Sequence, residues 1–380
     1  MAKRANNEGS INKRNDGRWE GKIIVGIKSD GKPDRKSVYG KTQKEVKEKL
    51  EALKSHLRLG TYAAPSSITV EQWLSIWIND YAQVATRTST YKKYFSLIKS
   101  HIIPAIGKIR LQDLKPNIIQ NLFATLLKSG NLRTNQGLAS STIAEIHLIL
   151  NQACTQAIAN NLITKNPVTA TKKPSRNHHE ITPYTKEELD LFLDAAKGHR
   201  LYPAFLLEAH TGLRRGELLG LKWKDIDFAR GTLTIVRANK VDTKSDMQTK
   251  TKSGNRTITL AKKLLPVLAE HKRQQDMLRK QLVDAYINEG FIFCQQDGNR
   301  ACPRSFSRSF NLLLKQHQLR KIRFHDLRHT HATLLLTQGI SVHVVSARLG
   351  HASIRITLDH YSHVMPGMQE QVAELLEKII

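Results

Sequence analysis

Residues 324–336 read FHDLRHTHATLLL. His325 and Arg328 stand three apart, so a helix through this stretch projects both from one face, while Leu334, Leu335 and Leu336 sink it into a core. His325, His329 and His331 also have spacings at which imidazoles can share a metal. A cation gains nothing from a guanidinium inside its ligand cluster, however, and no cysteine or carboxylate pair lies nearby to complete the set, so the metal reading is the weaker one. In TGLRRGELLGLKW, residues 211–223, Gly212 permits a tight turn into a helix that begins with Arg214 and Arg215 and carries Glu217 one turn on. In LGHASIRITLDHYSHV, residues 349–364, Gly350 and His351 mark a helix end or turn. Tyr361 follows ten residues after His351, with His360 and His363 beside it. Taken singly, these stretches have plain structural readings: a surface ion pair, a capping histidine, a buried tyrosine.

The chain around them is strongly basic. Sixty Lys and Arg against 33 Asp and Glu leave a formal charge of +27, more than solubility requires, so a polyanion is the expected partner. Hydrophobic residues at 40% suffice for folded cores and exclude a merely disordered basic tail. An anionic membrane competes with nucleic acid for such a surface, but no stretch approaches the roughly 18 consecutive apolar residues of a spanning helix; nucleic acid is favoured. MAKRANNEGS lacks the apolar stretch of a signal peptide, and Cys154, Cys294 and Cys302 form neither a disulfide framework nor a CxxC pair. The expected compartment is reducing and cytoplasmic.

At 380 residues the chain predicts two or three domains. Residues 1–62 read as a β-β-(β)-α module: GRWEGKIIVG, a turn at SDGK, RKSVYG, then a helix with Thr42 and Glu45 at capping-box spacing and Val46, Leu50 and Leu53 at helical intervals. Its many Lys and Arg suit strands lying along a phosphate backbone, or are solvated charge alone. Beyond the linker TYAAPSS, residues 66–168 carry four helical signals. Thr69 and Gln72 open the first, which holds Trp73, Leu74, Trp77 and Ile78 on one side; the second stops near Pro104, Pro116 starts the third, and the fourth ends before Asn166-Pro167. Residues 169–182 are polar, basic and proline-broken, a linker. Residues 183–380 open at a Thr185/Glu188 capping box and show alternating stretches at GTLTIVRA and NRTITLA between helices. The expected fold class is multidomain, mainly α with small β-sheets, the last domain mixed α+β. MQEQVAELLEKII, after a Pro-Gly break, is an amphipathic helix suited to packing in cis or on a neighbouring protomer.

The three stretches make one chemistry when combined. Attack on a phosphodiester builds negative charge on two nonbridging oxygens, and guanidinium forks match that geometry; Arg214 and Arg328 supply them. A phenol nucleophile has an ordinary pKa of about 10, so a neighbouring group must help remove its proton, and His325 and His351 are candidates. The leaving deoxyribose oxygen needs a proton from a long side chain, such as a lysine on the hairpin TKTKSGNRTITL, which offers two.

This set of residues resembles the tyrosine recombinase family, specifically phage and conjugative-transposon integrases of the lambda type. TGLRRGEL, TKTKSGNR, HDLRHTHA, LGHAS and LDHYSHV match its boxes in order. The resemblance implies Arg214, Lys250, His325, Arg328, His351 and Tyr361 as the catalytic set, with Arg214 chosen over Arg215, Lys250 over Lys252, Tyr361 as the nucleophile, and Glu217 orienting the site. His360 and His363 are structural or DNA-facing neighbours. It further implies an arm-type DNA-binding domain at 1–62, a helical core-binding domain at 66–168 and a catalytic domain at 183–380. The implied activity is site-specific recombination of double-stranded DNA by a homotetramer, through a 3′-phosphotyrosyl intermediate and a Holliday junction. No cofactor or metal is implied, and an excisionase and a host DNA-bending protein are the accessory partners. A dimer-resolving recombinase is the nearer alternative and a non-catalytic DNA-binding protein the more distant one.

Overall fold

The computed structural model describes residues 9–27, 31–58, 65–175, 182–238, 247–248, 255–362 and 376–377. The chain divides into two units, residues 1–178 and 179–380.

The first unit opens with an antiparallel sheet of three strands, β1 (Ser10–Lys13), β2 (Trp19–Ile27) and β3 (Pro33–Gly40), in that order, against which helix α1 (Gln43–Arg58) packs. Ile23, Val46 and Leu50 form its small core. A Cβ at Gly21 would fall 2.2 Å from Leu50 Cδ1, so glycine is what lets α1 lie this close to β2.

The helical part of the unit has a separate core. Helix α2 (Val70–Ile76) starts at the Thr69/Gln72 capping box and continues through a π-helical turn, Trp77–Ala82, into α3 (Gln83–Ala85). Helix α4 (Thr88–Leu97) passes through a second π turn, Ile98–Ile102, into α5 (Ile103–Ile106). The helix was expected to stop near Pro104, and it ends just beyond it, at Ile106. The π turn slips the ladder so that Ile103 N–H donates to Ile98 O, and Pro104 then occupies the first turn of a new α segment, where its missing N–H costs nothing. Helices α6 (Pro116–Ser129) and α7 (Ser140–Ala159) complete the bundle, and the buried Trp73 indole ties α2 to α7 by donating to Ala153 O at 3.0 Å.

The second unit starts with α8 (Lys186–Ala195), capped by Thr185 and Glu188, followed by α9 (Tyr202–Thr211) and the short α10 (Arg215–Leu218). Strands β4 (Ile226–Asp227), β5 (Thr232–Ile235) and β8 (Arg256–Thr259) form an antiparallel sheet in the order β4-β5-β8, and β6 (Arg237–Ala238) pairs with β7 (Met247–Gln248). The alternation in GTLTIVRA is real: Leu233 and Ile235 are buried, while Thr234 faces Thr257 across the ladder. Helices α11 (Leu264–Leu282), α12 (Pro303–Gln316), α13 (Asp326–Thr337), α14 (Val342–Leu349) and α15 (Ile354–Tyr361) follow. Phe324 stands edge-on to Phe306 at 4.8 Å and to Phe310 at 5.4 Å, so the residue before His325 is locked into the aromatic core. A second small core joins Ala332 and Leu336 of α13, Val345 and Leu349 of α14, and Tyr361 of α15.

The fold is mainly helical with small antiparallel sheets, as the pattern predicts. The two hairpin lysines Lys250 and Lys252, His363, and MQEQVAELLEKII apart from residues 376–377 lie outside the described residues.

Candidate active site

Helix α9 ends at Gly212, whose left-handed backbone (φ +61°, ψ +32°) turns the chain toward Arg214. A Cβ here would sit 2.7 Å from His331 Cδ2 and 2.8 Å from Leu349 Cδ2. Gly212→Ala should therefore destabilise the protein by about 2 kcal/mol, combining left-handed strain with overpacking. Thermal unfolding checks this, and an unchanged melting temperature would show that the turn relaxes freely.

Arg214 sits just before α10, and Glu217 one turn on fixes it. Glu217 Oε2 accepts from the Arg214 backbone N–H at 3.1 Å, Glu217 Oε1 accepts from Arg214 Nη1 at 2.9 Å, and Arg214 Nη2 reaches Gly350 O at 3.2 Å. Arg215 turns elsewhere, donating to Ser307 Oγ at 2.6 Å. Glu217 also accepts from Arg256 Nη2 at 2.9 Å, and Arg256 Nε donates to Arg348 O at 2.7 Å. Burial pushes the Glu217 carboxyl up, but the Arg256 and Arg214 guanidiniums outweigh burial and hold it below the usual carboxylate range.

Arg328 is only 2% exposed. Its Nη1 donates to Gly212 O and its Nη2 to Leu349 O, both at 2.8 Å, so it spans the ends of α9 and α14. Burial, then the neighbouring Arg214, pulls its pKa down. Beneath it Glu208 of α9 is fully buried, and among the described residues neither of its oxygens has a hydrogen-bond partner. Burial holds that carboxyl well above the usual range, against the pull of the Arg328 guanidinium.

Helix α13 begins at Asp326, so His325 is the residue before the helix rather than within it. Asp326 accepts the Arg323 backbone N–H at 2.7 Å, capping the turn and leaving His325 at its edge. The three histidines of the motif take separate tasks. His331 Nδ1 donates to Ala209 O at 2.9 Å and its Nε2 accepts from Arg348 Nε at 3.3 Å, a neutral ring with both nitrogens in use. His329 Nδ1 lies 2.6 Å from the Tyr361 hydroxyl oxygen, and the His325 ring meets His329 edge to face at 5.2 Å. Among the described residues no group of three or more His, Cys, Asp or Glu is arranged to hold a metal ion.

Gly350 ends α14 in the left-handed region, and His351 follows with its Nδ1 2.7 Å from Thr357 Oγ1. Tyr361, at the end of α15, is 4% exposed; burial pushes its phenol up to about 12. His360 is exposed, its ring 6.2 Å from that of Tyr361.

The described residues thus join Arg214 to Gly350 O and Arg328 to Gly212 O and Leu349 O, and set His325 and Tyr361 against the His329 ring, with His351 following Gly350. Sequence reasoning did not find Arg256 as the second partner of Glu217, nor His329 as the imidazole on Tyr361. Arg256 is the last residue of TKTKSGNR and His329 stands next to Arg328, so both lay within quoted motifs; what was missing was the neighbour each faces.

Residues 184–367 match the phage integrase family and residues 69–127 the phage integrase N-terminal SAM-like domain. A XerC-like tyrosine recombinase of Caldanaerobacter subterraneus is 30% identical over 377 residues, covering 94% of this chain and 95% of its own. The ICEBs1 integrase of Bacillus subtilis is 26% identical over 379 residues, covering 98% and 100%. Among solved structures, the Tn1549 transposon integrase in complex with a circular intermediate DNA superposes with a TM-score of 0.68 at 21% identity, over 83% of this chain and 100% of that one, a likeness of fold. With the relative at 30% identity matched over nearly its full length, the chain belongs to the phage integrase family and is a tyrosine-type site-specific recombinase.

Proposed function

We propose that this recombinase cuts each strand by attack of Tyr361 on the scissile phosphodiester, leaving a 3′-phosphotyrosyl link and a free 5′-hydroxyl. The observation that carries this reading is the convergence of two guanidiniums on adjacent backbone carbonyls, Arg214 on Gly350 O and Arg328 on Leu349 O, at the turn that leads into the helix bearing Tyr361. Fixed guanidinium donors there suit the two nonbridging oxygens, whose charge grows as the phosphorus is attacked. His325 and His351 hydrogen-bond the same phosphate, and Glu217 holds Arg214 toward it.

As the Tyr361 oxygen bonds to phosphorus, the P–O5′ bond breaks and the departing oxygen takes a proton from Lys250. The phosphotyrosyl bond conserves the energy of the one broken, so a partner strand's 5′-hydroxyl reverses the step without ATP. Exchange between two duplexes needs four strand cuts, and one Tyr361 per chain means four protomers, with a Holliday junction between the two rounds. The charge of +27 supports a double-stranded DNA partner. The sheet module before the helical domain, read as an arm-type DNA-binding module, supports an integrase of a mobile element over a dimer-resolving recombinase. An excisionase and a host DNA-bending protein complete the cytoplasmic assembly.

Incubation with a nicked core site, in the presence of chelator, should give a denaturant-resistant protein–DNA adduct whose peptide maps to Tyr361; an adduct on another residue rejects the reading. Lys250→Ala should slow cleavage about 100-fold, the scale of general acid catalysis, and a 5′-bridging phosphorothiolate, a better leaving group, should restore most of that rate. Rescue of Lys252→Ala instead would exchange the two lysines' roles.

A further inference from the structure

We propose that His329 is the base that takes the Tyr361 proton during attack, a role that rests on Tyr361 being the nucleophile. The two groups are already joined. His329 Nδ1 is 2.6 Å from the phenol oxygen, and both side chains are buried, at 8% and 4% exposure. The two histidines that sequence reasoning offered for this task are differently engaged: His351 Nδ1 is bonded to Thr357 Oγ1, and His325 meets the edge or face of His329 rather than a bonded phenol. The adjacent Arg328 is clamped on Gly212 O and Leu349 O, so the backbone that fixes the phosphate-binding guanidinium also fixes His329 against Tyr361.

The proton in this hydrogen bond has a definite home before DNA arrives. Burial holds the His329 imidazole down at about 4, so its ring is a neutral acceptor at pH 7, and burial pushes the phenol up to about 12, so Tyr361 keeps its proton and donates. The charged and titratable groups facing His329 are His325, Asp326 and Arg328 on its own stretch and His360 and Tyr361 on α15. Asp326 favours the imidazolium, whereas His325, His360 and Arg328 oppose it. A bound phosphodiester adds a negative charge to this set and shifts the balance toward imidazolium when the proton must move. In the step itself the phenol O–H bond breaks as the new O–P bond forms, the proton passing to Nδ1. On religation the P–O bond to Tyr361 breaks and the proton returns to the phenolate.

His329→Asn keeps a polar group near the Nδ1 position and removes the base. Its cleavage of a nicked core site should fall about 100-fold with DNA affinity retained. The rate should then climb with pH across the alkaline range, where solvent hydroxide takes the proton, while the wild-type rate stays flat there. A fluorinated tyrosine at position 361, whose phenol is more acidic, should restore most of the His329→Asn rate and change the wild-type rate little. A residue with only a structural role would move neither the pH profile nor the fluorotyrosine response. Wild-type cleavage by His329→Asn, or slowing with an unaltered pH profile and no rescue, overturns the proposal. If the Asn variant fails to fold, the same two readouts on His329→Gln decide. Tyr361→Phe separates the two levels: adduct formation by that variant rejects the nucleophile, whereas its loss alongside wild-type-like His329→Asn rejects the base alone.

Discussion

Tyr361→Phe should yield no covalent protein–DNA adduct at all, while binding its site and folding much as the wild type does. The substitution removes one hydroxyl from a ring packed against Ala332, Leu336, Val345 and Leu349, and the phenyl ring keeps those contacts. What is lost in stability is the hydrogen bond to His329, about 1 kcal/mol, with a further cost of about the same size for leaving a buried ring nitrogen without its partner. Thr357, the buried hydroxyl of the same helix, is bonded to His351. The measurements are denaturing electrophoresis of protein with nicked DNA, a binding isotherm and a melting curve. A residual adduct above background would remove Tyr361 from the reaction; loss of binding together with the adduct would mean that the ring is needed for architecture instead.

Glu217→Ala should have the largest effect on stability, about 3–5 kcal/mol, because it takes the carboxylate from between two guanidiniums. Arg214 and Arg256 then face each other across the space it occupied, and the Arg214 backbone N–H loses its acceptor. The acid limb should report the same carboxylate. Its folded pKa lies below the ordinary 4.5, so the stability it contributes is fully present above that value and is lost as pH falls through the lower folded one. Denaturant titrations at pH 7 and at successively lower pH should show the gap between wild type and variant closing on acidification. A gap that is small at pH 7, or independent of pH, would mean that the two arginines find other partners. Cleavage should fall as well, since Arg214 is held toward Gly350 by this contact.

The parts legible in the sequence were those written in local pattern. Capping boxes at Thr69 and Thr185 start helices where read, because cap and acceptor lie three residues apart. Leu233 and Ile235 alternate into the core because strand period is a local property. The helix ends near Pro104 as expected, but the π turn Ile98–Ile102 that lets the proline in leaves no compositional mark. His329 escaped for a different reason: its partner is 32 positions away, and only the packing of α13 against α14 and of α14 against α15 brings Tyr361 to it. Arg256 and Glu217, 39 positions apart, needed the β8 strand to be placed before either could be paired. Glu208 was not singled out because its burial depends on how α9 packs, which a lone acidic residue in YPAFLLEAHT does not reveal.

The clamp on Arg328 has a thermodynamic consequence for the encounter with DNA. Two of its five N–H donors are committed to Gly212 O and Leu349 O, and the chain around it leaves 2% of it exposed, so its rotamers are frozen when the protein folds. A free arginine loses about 2 kcal/mol of rotamer entropy on being immobilised, a loss that a flexible phosphate-binding side chain meets only at the moment of binding. Here folding has already met it, and the three remaining donors wait in fixed directions. Arg214, though 41% exposed at its side chain, is held as well, by Glu217 Oε1 and Gly350 O. Both guanidiniums therefore have their directions set by folding rather than by a bound partner.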